Sequence, residues 1–163
     1  MIKSSTNSNK SLLQCPCGSG NFLSSCCQII FNDHAKATTP ELLMRSRYSA
    51  YALGNISHIL STWDNLYRPP SLTFDERIKW LKLEIVESLF LKTDTNLGYV
   101  HFRAIFIENK NLITLSEKSQ FIKKNRKWYY QKGETKYETT NVSLKSPCPC
   151  GSGKKFKRCC LDA

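Results

Sequence analysis

Apolar and polar positions change rhythm along this chain. From Pro40 the run PELLMRSRYSAYAL places Leu42, Leu43, Tyr48, Tyr51 and Ala52 at helical spacing, as in a helix with one buried face. Its ends are marked as well. Thr39 is a capping residue type, Pro40 suits the first helical position, Glu41 favours the first turn and Gly54 closes the run. A second, short helix is predicted over residues 56–63, ahead of a turn at Pro69-Pro70. From Trp80 the period falls to two. WLKLEIV sets Leu81, Leu83 and Ile85 against Trp80, Lys82, Glu84 and Val86, and YVHFRAIFI sets Val100, Phe102, Ala104 and Phe106 against Tyr99, His101, Arg103 and Ile105. NKN at 109–111 reads as a hairpin turn into LITLSEKSQF, and KWYYQKG as a last strand. Two helices followed by an antiparallel meander predict an α+β fold whose sheet wraps the helices on one face.

Outside this pattern lie two cysteine-rich segments, CPCGSGNFLSSCC at 15–27 and CPCGSGKKFKRCC at 148–160, which hold all 8 cysteines. Each reads Cys-x-Cys, an arm, then Cys-Cys. Thiolates are soft donors, and four of them in a tetrahedron make a closed structural zinc site. Pro16 and Gly18-Ser19-Gly20 supply the sharp turn that lets Cys15 and Cys17 converge, and the arm returns Cys26 and Cys27 to the same ion. Cys148, Cys150, Cys159 and Cys160 form the second set. One zinc is expected in each, with Fe(II) the competing metal. Buried free thiols or disulfides are the alternative, and the recurrence of both spacing and turn argues against them. Neither segment contains an acid or a histidine that could act as a base, so the sites read as structural.

Composition adds a direction. A chain of 163 residues that is 40% hydrophobic suits a single core, and its net charge is +11. The density of positive charge peaks at the C-terminus, where Lys145, Lys154, Lys155, Lys157 and Arg158 face one acid, Asp162. Such a patch attracts polyanions or an acidic protein face, although positive charge also serves solubility. KKNRK at 123–127 reads as a basic turn able to extend that surface. The N-terminal MIKSSTNSNKSLL lacks the apolar stretch of a secretion signal, and no run approaches the length of a membrane span. These features predict a cytoplasmic protein with reduced thiols and a flexible tail over residues 1–13.

The cysteine pattern, plainest at Cys148–Cys160, resembles the SEC-C motif, the zinc-binding tail of the SecA translocation ATPase. That resemblance implies zinc and contacts to the SecB chaperone or the ribosome, with RNA involved only as ribosomal RNA. The first copy has Asn21-Phe22-Leu23-Ser24-Ser25 where the second has Lys154-Lys155-Phe156-Lys157-Arg158. Metal binding therefore carries to both copies, and partner binding only to Lys154, Lys155, Lys157 and Arg158. In the middle, LMRSRYSAY at 43–51, TW at 62–63, Glu117-Ser119-Phe121 and WYY at 128–130 resemble the YchJ family of uncharacterised bacterial proteins. Its middle is similar to the nuclear transport factor two-like fold, a cone of helices and curved sheet. The implied organisation is a SEC-C motif over 14–30, the cone over 38–140 and a second SEC-C motif over 145–163. Ser116, Gln120 and Asp64 stand where family members often have His, Arg and His.

Cones of this kind can enclose a pocket, for which the candidates are Arg45, His101, Arg103 and Glu117. A His101–Glu117 proton-transfer pair needs the polar face of the strand turned inward; the same alternation equally describes a solvated outer face, which is the favoured reading. Arg45 and Arg47 are expected to clamp a carboxylate such as Glu117, His34 and His58 to lie at the surface, and Tyr48, Tyr51, Trp63, Phe102 and Trp128 to fill the core. The function expected is a non-catalytic adaptor. A pocket that binds or converts a small molecule, and a metal store or sensor, are the rivals; oligomeric state is left open.

Overall fold

The structure, a computed structural model, describes residues 13–90 and 96–161. Apart from Leu13, the tail expected over 1–13 lies outside the described residues. Three α-helices, α1 (Cys27–Asn32), α2 (Pro40–Leu53) and α3 (Ile56–Ser61), precede four strands, β1 (Lys79–Phe90), β2 (Leu97–Glu108), β3 (Asn111–Lys124) and β4 (Lys127–Asn141). The strands pair antiparallel in sequence order, the expected meander. Among the described residues no helix is long and apolar enough to cross a membrane.

Local chemistry fixes most boundaries. Thr39 Oγ1 accepts from the Leu42 amide at 3.1 Å, Pro40 opens α2, and Gly54 ends it in the left-handed region at φ 73°. Asn109-Lys110 and Asn125-Arg126 all have positive φ, which makes both hairpins two-residue turns of the type asparagine favours. α3 stops at Ser61, short of the expected 63, because the chain then leaves to pair with the sheet. The Tyr130 amide donates to the Thr62 carbonyl at 2.9 Å and the Asp64 amide to the Tyr130 carbonyl at 2.8 Å. α1 was not anticipated: it is short, and only Cys27 and Ile30 are buried in it. β4 likewise runs on past the KWYYQKG segment to Asn141 as an exposed edge.

The core lies between the helices and one face of the sheet. Leu43, Met44 and Tyr48 of α2 meet Leu83, Val100, Phe102, Ala104, Phe121 and Trp128. Burial of each large apolar side chain contributes roughly 1.5–3 kcal/mol. β2 alternates from Leu97 to Phe106, whereas β1 does not. Its register slips between Trp80 and Lys82, so Trp80 joins Leu83 and Ile85 on the helix side rather than opposing them. There its ring lies 5.7 Å from Tyr48 and 4.9 Å from Phe106. Leu81 is left on the other face with Ile107 and Leu112, where the C-terminal cysteine segment packs. The outer face of the sheet is thus partly covered.

Candidate metal centres

Both cysteine segments fold as the spacing requires. Within each set of four the sulfur atoms all lie within 4.8 Å of one another. Cys17 and Cys26 are 3.6 Å apart, Cys150 and Cys159 3.5 Å, close to the ~3.8 Å edge of a tetrahedron with ~2.3 Å zinc–sulfur bonds. All eight are free thiols rather than disulfides. The turn after the first two cysteines depends on glycine: φ is 75° at Gly18 and 80° at Gly20, and 79° and 74° at Gly151 and Gly153. One turn of 3-10 helix, Leu23–Ser25 or Phe156–Arg158, then delivers the last pair.

The surroundings of the sulfurs split them. Some are lowered toward thiolate, while burial pushes Cys26 up and Cys160 up to about 12, and the bond with Cys17 pushes Cys27 up. Ser19 Oγ lies 3.3 Å from Cys26 and Ser152 Oγ 3.2 Å from Cys159. The Cys17 thiol is held well below its ordinary pKa, chiefly through its hydrogen bond with Cys27, and Cys150 is lowered to about 6, chiefly through Ser152. A closed set of four soft donors fits Zn(II) or Fe(II) and leaves no coordination position for substrate.

The two centres sit in different surroundings. The first is built into the helical layer. Ser49 of α2 donates to Cys27 Sγ at 3.3 Å and lies 3.6 Å from Cys15 Sγ, and Cys15, Cys17 and Cys27 are buried. Arg45 serves this site and the cleft beside it rather than the cavity beneath the sheet. It donates through Nη1 to the Cys17 carbonyl at 3.0 Å and pairs with Glu41 at 2.9 Å. The second centre rests on the outer face of the sheet through Phe156, fully buried among Ile107, Leu81 and Leu112. Leu23 takes the position of Phe156 in the first centre, and Phe22 points outward, 42% exposed. Lys154, Lys155 and Arg158 are exposed and Lys157 half-buried; among the described residues none of the four forms an ion pair.

The family description "YchJ, middle NTF2-like domain" matches residues 39–133, more than half of the chain. The chain belongs to the YchJ family. A SEC-C motif matches residues 145–162, the second centre. Among similar YchJ relatives, a UPF0225 protein of Vibrio parahaemolyticus is 39% identical and one of Vibrio vulnificus 36%, each match covering 90% of this chain and 97% of the relative. The solution structure of a SEC-C motif containing protein from Rhodopseudomonas palustris is 34% identical with a TM-score of 0.65, covering 75% of this chain and 98% of its own. The crystal structure of a SEC-C motif containing protein from Psychrobacter arcticus is 27% identical with a TM-score of 0.58, covering 94% and 98%. The NTF2-like middle, the SEC-C motif and the paired cysteine sites agree with the expected fold.

The acid–base pair weighed as the alternative to a solvated strand face is not formed. His101 pairs in register with Lys118 and Glu117 with Phe102, which puts His101 and Glu117 on opposite faces of the sheet. His101 Nε2 meets Ser116 Oγ at 3.0 Å, and Arg103 is exposed. Glu117 alone of the four pocket candidates reaches the inner face, where Ser119 Oγ and Tyr130 OH donate to its Oε1 at 2.6 and 2.9 Å. Gly133 leaves room for it, since a Cβ there would lie 2.2 Å from Oε1. The arginine beside it is Arg47. Its Nη1 donates to the Ile59 carbonyl and Thr62 Oγ1, both at 2.8 Å, and its guanidinium faces Tyr130 at 4.6 Å and Trp63 at 5.0 Å. The clamp expected of Arg45 and Arg47 on Glu117 is absent among the described ion pairs.

The two histidines expected at the surface are inside. His58 is buried, meets Ser46 Oγ at 2.9 Å, and its pKa is pushed down to about 4, first by burial and then by Arg47. His34 is half-buried against the Trp128 carbonyl, and burial lowers its pKa too. Nor does the basic turn extend the basic arm. Lys124 is engaged with the buried Asp64 at 2.9 Å, and Lys123 lies over Trp128. That turn is at the Lys124 end of β3, whereas the second centre packs on Leu112 at the other end, roughly 40 Å along the strand.

Proposed function

We propose that the protein is a zinc-binding adaptor in which one four-cysteine centre completes the domain and the other presents a basic arm to an anionic partner. One observation carries this reading: the second centre is anchored on its apolar side by Phe156, while Lys154, Lys155, Lys157 and Arg158 stand without ion pairs among the described residues. An arm so placed gains by pairing with phosphates or carboxylates. The ribosome is the partner implied by the likeness to the SecA tail. Each centre takes one zinc ion, two per chain, and the reading carries with it a cytoplasmic location. The metals shape and hold the arm; they take no part in a reaction.

The test replaces Lys154, Lys155, Lys157 and Arg158 together by serine and measures co-sedimentation with ribosomes across a salt series, alongside zinc content by mass spectrometry. Two zinc ions per chain with salt-sensitive binding lost in the variant is the expected result. Unchanged binding in the metal-loaded variant would sink the docking role.

A further inference from the structure

Beneath the sheet, Met44, Arg47, Trp63, Phe102, Glu117 and Tyr130 line a cavity of about 70 Å³, with Tyr51 at its rim. Tyr51, Trp63 and Tyr130 are only partly buried, so the cavity has a mouth to solvent. Its two charged residues are both deeply buried: Arg47 is 3% exposed and Glu117 9%. A buried guanidinium normally satisfies all its N–H groups. Here Nη1 is used by Ile59 and Thr62, and among the described residues no protein acceptor meets Nε or Nη2. Since no fully buried side-chain nitrogen or oxygen among the described residues lacks a partner, these two donors are the part of Arg47 that stays open to solvent. Those two donors form the lateral edge of the guanidinium, the side that grips a carboxylate with two parallel hydrogen bonds. Glu117 is matched in the same way. Oε1 is filled by Ser119 and Tyr130, while Oε2 meets no donor among the described residues.

We infer that this cavity is a binding site for a small carboxylic acid bearing a hydrogen-bond donor on the adjacent carbon, its carboxylate on the Nε/Nη2 edge of Arg47 and its donor on Glu117 Oε2. Size and charge set the class. With ~30 Å³ per water, the volume admits about two waters or a molecule of about five heavy atoms, the size of glycolate or glycine. A plain anion would meet Arg47 but face the Glu117 carboxyl with nothing to offer it, whereas an α-hydroxy or α-amino group supplies what that oxygen lacks. The rings of Trp63 and Tyr130 pack against the Arg47 guanidinium and hold its orientation. His101 is on the other side of the sheet, so among the described residues Glu117 has no histidine partner in the cavity, and the site is read as one of binding.

The experiment titrates full-length, zinc-loaded, 15N-labelled protein with glycolate, glycine and acetate at constant ionic strength. It follows the Trp63 indole N–H, which donates to the Gln131 carbonyl at 3.1 Å in the cavity wall. Saturable shifts of that resonance are expected, with acetate about tenfold weaker than the better of the other two. Arg47→Lys keeps the charge and loses the fork, and should weaken every acid at least tenfold. Glu117→Gln should weaken glycine about tenfold while leaving acetate unchanged. Should Arg47→Lys fail to fold by circular dichroism, the acetate comparison and Glu117→Gln still decide. No saturable shift, equal midpoints for all three acids, or shifts confined to the lysines of the second centre would overturn the site.

Discussion

Ser49, in the buried face of α2, donates its hydroxyl hydrogen to the sulfur of Cys27 at 3.3 Å. A metal ligand is thereby bonded to the helix that carries the core, and the first centre becomes part of the domain's interior. The second has no such hydroxyl from the sheet beneath it among the described residues, and its Cys150 is exposed. Chelator should therefore strip zinc in two phases, the C-terminal centre first. A metallochromic assay on the intact protein and on a Cys148→Ser/Cys150→Ser variant assigns the phases; the variant should retain only the slow one. Ser49→Ala should speed the slow phase and cost about 1–2 kcal/mol of stability.

Phe156 is fully buried and belongs to the outer-face cluster, not to the core between helices and sheet. Phe156→Ala is expected to remove about 3–5 kcal/mol of local packing and to release the second centre while the domain stays folded. Hydrogen exchange would then rise over 145–161 and stay unchanged in β2 and α2. Phe22→Ala, at an exposed position of the first centre, should change stability by less than about 0.5 kcal/mol.

Gly133→Ala should destabilise by about 1–3 kcal/mol, since the new Cβ would sit 2.6 Å from Glu117 Cγ as well as against Oε1. Thermal unfolding reads the loss. Pairing the change with Glu117→Ala should recover most of it, and an additive double variant would show that Glu117 is not the neighbour that matters.

His58 ties pH to folding. Burial holds its pKa at about 4, below the 6.5 of an exposed imidazole, so the unfolded chain binds the proton more readily. Its contribution is complete above pH ~6.5, declines as pH falls toward 4 and levels off below, a change of about 3 kcal/mol at most. Urea unfolding of the wild type and of His58→Gln between those limits should show a pH-dependent gap that closes on acidification. A constant gap would contradict a neutral buried imidazole.

Where a single residue type decides, the sequence was readable. Thr39, Pro40 and Gly54 bound α2 as expected, asparagine marks both hairpins, and the cysteine spacing alone located two four-sulfur sets. Where pairing decides, it was not. His101 and Glu117 look like partners on adjacent strands, and only the register, with Glu117 opposite Phe102, separates them. Arg45 and Arg47 are ~200° apart around α2, so only one can face the sheet. Arg47 follows Leu43 at the spacing of four that marks the buried face, a signal that was present and not used. The exposure expected of His34 and His58 failed because isolated histidines give no periodic cue, and their partners, Trp128 and Ser46, come from distant or turned segments.

The slip at Trp80 turns β1 into a strand with two audiences. One extra residue lets an aromatic ring serve the helices while the next side chain, Leu81, floors the second metal centre. Deleting Leu81 would restore the alternation from Trp80 to Ile85, with the second slip between Ile85 and Glu87 untouched, and strand Phe156 over a thinner floor. A single inserted residue thus adds one side chain to the floor that Ile107 and Leu112 already provide for the third layer.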